Sequence, residues 1–77
     1  MPHVSIKLYP GRTEEQKQQL TEQIVQDLMK FLNSKEASIS VAFEEVSPAD
    51  WPERVYRPEI LQKPETLYRK PGYNPFE

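Results

Sequence analysis

The sequence contains no cysteine, which excludes a disulfide framework and a thiolate-bound zinc, two common supports for so short a chain. Histidine occurs once, at His3, so a metal site would need carboxylates almost alone, and no metal is expected. Glycine is nearly missing, with Gly11 and Gly72 only, and no glycine-rich loop exists to cradle a phosphate. No apolar run approaches the roughly 20 residues that a membrane span requires. The first residues lack a basic stretch followed by an apolar block, so neither a signal peptide nor a membrane partner is expected, and the expected location is the cytoplasm. Charge of one sign is lacking too: 10 Lys and Arg against 12 Asp and Glu leave −2. That balance exerts no long-range pull on nucleic acid or anionic lipid.

What is present is patterned. The 77 residues suffice for one small domain, 1–77, and a chain of that size buries little of its unfolded surface. Association between copies is the expected source of further burial. From Pro2 to Leu8 the residues alternate, with Val4, Ile6 and Leu8 on one face and His3, Ser5 and Lys7 on the other. That period of two predicts a strand with one buried face, and Pro2 suits a strand's first position, where no ladder hydrogen bond is lost. Pro10-Gly11 stops it.

Thr13-Glu14-Glu15-Gln16 has the form of a capping box, and its two acids favour the positive end of a helix dipole. Leu20, Ile24, Leu28 and Leu32 then recur every fourth residue beside Val25 and Phe31, predicting an amphipathic helix that ends near Asn33-Ser34. A second alternation sets Ile39, Val41 and Phe43 against Ser38, Ser40 and Ala42. Strand, helix and strand in this order predict a βαβ unit of the α/β (α+β) class with parallel strands. Two strands and one helix cannot close a core, so a second copy should extend the sheet as a C2 homodimer.

Beyond Val46 the texture changes. Ser47-Pro48-Ala49-Asp50 is another helix-start signature, and Pro52, Pro58, Pro64 and Pro71 cut the tail into short pieces. Short helices over Pro48 to Tyr56 and Pro58 to Gln62 are expected, then a turn from Pro64 to Arg69. The tail interleaves arginines and tyrosines. From Pro48 onward, however, five bases (Arg54, Arg57, Lys63, Arg69, Lys70) meet five acids (Asp50, Glu53, Glu59, Glu65, Glu77). No basic stripe exists, and nucleic acid is not an expected partner.

Three positions could carry chemistry. Pro2 is either the start of a strand or, once Met1 is removed, a free secondary amine. An α-amino group has a reference pKa of about 7.7–8.0. Burial or a nearby guanidinium lowers such a value, and a neutral amine near pH 7 is a competent general base. Arg12, just before a helix N-terminus, is either a solvated loop residue or a bidentate clamp for a carboxylate. Trp51, the only tryptophan, is either a core residue or the wall of an apolar pocket. Ser38 and Ser40 have no histidine near them in sequence, so a serine triad is not expected; His3 reads as a strand side chain with a polar partner.

The run from Pro2 through the first strand to Gly11-Arg12, with T-x-E-Q-K at Thr13 to Lys17, resembles the 4-oxalocrotonate tautomerase family. The stretch NSKEASISVAFEEVSPADW and the later KPGY look like its small dimeric branch, the phenylpyruvate-enol-type tautomerases. The resemblance implies a tautomerase domain that needs no cofactor and acts on a small 2-oxo acid or its enol. Pro2 would be the general base after loss of Met1, Arg12 the group that binds the substrate's carboxylate or carbonyl oxygen, and Trp51 a pocket wall. Ser40 stands where hexameric members carry a second catalytic arginine, which implies a monocarboxylate substrate, with Arg54 or Arg57 as candidate replacements. The longer tail implies a homodimer. Two alternatives stay open: dehalogenation or hydration of a small unsaturated acid, and a non-catalytic βαβ interaction module.

Overall fold

In the computed structural model, which describes residues 1 to 77 throughout, the first alternating run becomes strand β1, His3–Leu8. Helix α1 follows at Glu14–Leu32. Thr13 caps it as expected: its hydroxyl accepts the Gln16 backbone N–H at 3.0 Å. The Gln16 side chain returns the favour, accepting the Thr13 backbone N–H at 2.8 Å. Asn33 ends the helix in the left-handed conformation, φ 56°, which asparagine tolerates better than most residues.

Strand β2 is Ser40–Glu45. It begins later than the alternation suggests because a short 3-10 turn, Glu36–Ser38, intervenes. The Ile39 N–H closes that turn on the Glu36 carbonyl at 3.2 Å and is lost to the ladder. The strands pair in parallel from His3↔Ser40 to Leu8↔Glu45, as the βαβ order requires. Val4, Ile6, Leu8, Val41 and Phe43 are half-buried, whereas His3, Ser5, Ser40, Ala42 and Glu44 are exposed.

One expectation of burial is met only in part. No residue of α1 is fully buried, and its stripe leaves Leu20 45%, Leu32 61% and Phe31 73% exposed. A two-stranded sheet is too narrow to cover a helix of this length. Met1–Glu45 forms one compact unit and Val46–Glu77 a second.

The second unit opens with a turn in place of the helix expected from Pro48: Ser47 Oγ accepts the Asp50 N–H at 3.2 Å, and the helical segment begins at Pro52. The expected break at Pro58 does not occur. Pro52–Leu61 is one continuous π-helical segment with Pro58 inside it. In an α-helix a proline ring collides with the carbonyl four residues back. Here the winding is wider, with the Gln62 N–H reaching the Arg57 carbonyl at 3.0 Å, and the collision is relieved by unwinding rather than by breaking. A 3-10 turn at Pro64–Thr66 follows. The buried apolar residues Val46, Val55 and Tyr56 all belong to this unit. No helix is long and apolar enough to cross a membrane.

Candidate functional site

Pro2 lies just ahead of β1, half-buried, next to a fully exposed Met1. With Met1 attached, the Pro2 nitrogen is an amide without basicity; hydrolysis of one peptide bond converts it to a secondary amine. The Pro2 carbonyl accepts the Ser40 backbone N–H at 3.2 Å, which carries the sheet ladder one step beyond the strand. Ser40 also turns its hydroxyl to His3, with Oγ 2.6 Å from Nδ1. The parallel register therefore gathers Pro2, His3 and Ser40 at one edge of the sheet.

Arg12 does not join them within one chain. It follows the Pro10-Gly11 turn at the other end of β1, and six residues at about 3.3 Å each separate the two ends by about 20 Å. Gly11 makes the turn with φ 125°, a conformation that side chains oppose. Arg12 instead borders a shallow cleft of about 210 Å³ with Leu8, Gln16, Lys17, Leu20 and Phe43. Two cations thus stand beside an apolar floor, at the start of α1, where the backbone N–H groups favour an anion. Lys17 Nζ is 2.9 Å from Glu45 and 3.4 Å from Glu14. The Glu45 hydrogen bond is the main reason its ammonium form is held beyond the ordinary lysine range.

Trp51 lies in the second unit, half-buried, and its indole N–H donates to the Tyr73 hydroxyl at 2.8 Å. Arg57 is committed within the same unit. Its Nε and Nη2 donate to the two carboxylate oxygens of Glu53 at 2.9 and 3.0 Å, and its guanidinium stacks 4.3 Å from the Phe76 ring centre. Arg57 holds Glu53 below the usual carboxylate range, chiefly through that hydrogen bond. A guanidinium so engaged is a poor stand-in for a substrate-binding arginine.

Sequence reasoning missed Lys17 and the apolar cleft residues. The signal existed for part of it: Gln16 and Leu20 are four residues apart on one face of α1, and Arg12 lies just ahead of its cap. The His3–Ser40 bond had no such signal, since only the register pairs residues 37 positions apart. No group of three or more histidine or carboxylate side chains gathers to form a metal site.

Against known proteins, residues 2–52 match the family described as tautomerase enzyme. The chain is 43% identical over 74 residues to tautomerase PptA of Cronobacter sakazakii, covering 95% of this chain and 97% of that one. It is 40% identical over 75 residues to tautomerase PptA of Escherichia coli strain SMS-3-5, covering 96% and 99%. Among solved structures it resembles YwhB, a homologue of 4-oxalocrotonate tautomerase, with a TM-score of 0.58 and 35% identity over 60% of this chain and 75% of that one. The fold is shared with TomN, a 4-oxalocrotonate tautomerase homologue of tomaymycin biosynthesis, at a TM-score of 0.62 and 24% identity over 65% and 77%.

Proposed function

The chain belongs to the 4-oxalocrotonate tautomerase family of isomerases, and from that premise we propose that it interconverts enol and keto forms of a phenylenolpyruvate-like 2-oxo monocarboxylic acid. One observation carries the reading: Pro2 stands immediately ahead of β1, next to a wholly exposed Met1. Removal of Met1 leaves a ring nitrogen whose lone pair has no side-chain rotation to lose.

In the forward direction the Pro2 amine takes the proton of the enol hydroxyl. The oxygen's electron pair becomes the carbonyl, the C=C pair takes a proton from the prolinium at C3, and the amine is regenerated. The carbonyl itself is the electron sink, so no cofactor enters the step. Arg12 holds the carboxylate, and Trp51 is the pocket wall. Proton transfer by a positioned base contributes about 10²- to 10⁴-fold.

The separation of Pro2 from Arg12 along β1 supports a site shared between copies, with the whole chain, 1–77, acting as one cytoplasmic tautomerase domain. Where the two-fold axis stands perpendicular to the sheet and β1 pairs with β1, the strands run antiparallel, and the far end of one β1 meets the near end of the other. The partner's guanidinium then favours the uncharged amine. The half-covered stripe of α1 supports the same homodimer. Ser40 offers a neutral hydroxyl, bonded to His3, in place of a second guanidinium, which matches a substrate with one carboxylate.

The test is ketonisation of phenylenolpyruvate followed by ultraviolet absorbance, with a hydroxymuconate as the dicarboxylate control. A strong preference for the dicarboxylate would refute the substrate class. Halide release from a haloacrylate without ketonisation would favour the dehalogenase alternative.

A further inference from the structure

Tyr73 ends the K-P-G-Y run at Lys70 to Tyr73 and meets the indole of Trp51. The indole N–H is a donor with no acceptor capacity, Trp51 is half-buried and Tyr73 is 49% exposed. The indole finds the Tyr73 hydroxyl at 2.8 Å.

Tyr73 is itself fixed. Its carbonyl accepts the Tyr56 hydroxyl at 3.0 Å, and the two rings lie 5.4 Å apart at a 52° tilt. Tyr56 is buried in the π-helical segment and also meets the edge of Phe76 at 5.9 Å. Arg57, locked onto Glu53, covers the other part of Phe76. The chain from Tyr73 to Phe76 is thus pinned by three aromatic or cationic contacts, and its one outward hydroxyl bond runs to Trp51.

We propose that Tyr73 is a positioning residue: its hydroxyl fixes the orientation of the Trp51 indole and thereby sets the preference for aryl over alkyl enol substrates. The inference rests on the reading of Trp51 as the pocket wall. An indole has two free torsions, and a flat wall grips a substrate ring only when its plane is held. A substrate with a small alkyl group makes little use of that plane. Loss of the hydroxyl should raise KM for the aryl substrate and leave kcat nearly unchanged, since the contact binds ground and transition states alike.

The experiment uses Tyr73→Phe, which keeps the ring and deletes the acceptor. The single tryptophan gives one indole N–H resonance in a ¹⁵N-labelled sample. In the unaltered protein that resonance should be shifted downfield and protected from solvent exchange. In Tyr73→Phe it should move upfield and exchange faster, with an unchanged far-ultraviolet spectrum. KM for phenylenolpyruvate should rise about three- to tenfold, the range one hydrogen bond supplies, while KM for an alkyl enolpyruvate holds. An unmoved resonance, or an equal change for both substrates, overturns the proposal. Should the variant fail to fold, indole exchange in the unaltered protein decides: exchange as fast as free tryptophan overturns it. Absence of turnover in the unaltered protein would instead refute the parent reading, and the indole resonance would still report on the bond.

Discussion

The imidazole of His3 and the hydroxyl of Ser40 meet at 2.6 Å across the first pair of the parallel register. The same serine holds the Pro2 carbonyl through its backbone N–H. Ser40→Ala removes the side-chain bond and spares the backbone one. It should lower kcat/KM about three- to tenfold with little change in thermal unfolding. His3→Ala should cost about as much, and the double variant no more than either alone, because the two act through one bond. Steady-state kinetics of the four proteins check this.

In the proposed mechanism Pro2 acts only as a free amine. Intact mass should show loss of Met1, and a sample that retains it should be inactive. Pro2→Ala should lower kcat by at least about 10²-fold, with the circular dichroism spectrum preserved. A fully active Pro2→Ala enzyme would transfer the base role to another residue.

Arg12 and Pro2 occupy opposite ends of β1, so subunits should complement each other. Pro2→Ala and Arg12→Ala should each be inactive alone. Mixed, unfolded and refolded together, they should recover about a quarter of the unaltered activity if two chains pair at random. Light scattering should give twice the chain mass of 9.1 kDa; six times that mass would refute the dimer.

Glu53 is held below the ordinary carboxylate range by Arg57. A depressed folded-state value means the pair stabilises above the unfolded carboxylate value and loses that contribution as pH falls through the folded one. Thermal unfolding of the unaltered protein should therefore weaken more between neutral pH and about pH 3 than that of Glu53→Gln. Parallel melting curves across that range decide it.

Thr13 caps α1 immediately after Arg12. Thr13→Ala should destabilise the protein by about 1 kcal/mol and raise KM, because a frayed first turn no longer anchors the arginine. Chemical denaturation and kinetics measure the two effects separately.

Local rules were written plainly in the chain. The alternation of Val4, Ile6 and Leu8, the box from Thr13 to Gln16 and the four-residue spacing of the helix placed β1 and α1 almost to the residue, because each depends on neighbours a turn away. The turn that Ser47 opens was legible for the same reason, though the helix expected from Pro48 starts only at Pro52. The π-winding through Pro58 was not. A proline announces a conflict with the carbonyl four residues back, but whether the chain breaks or widens depends on what packs around Tyr56 and Val55.

The sequence by itself determined which residue types were available: one near-terminal proline, one arginine before a helix, one tryptophan, no thiol. Periodicity and capping chemistry are short-range, so it also determined the βαβ order. Only the tertiary structure decided who meets whom. Register set Ser40 against both Pro2 and His3, strand length carried Arg12 away from them, and the folding back of the tail gave Trp51 its tyrosine. Those pairings join residues far apart in the chain, and their geometry is fixed by packing and ladder hydrogen bonds that no local pattern encodes.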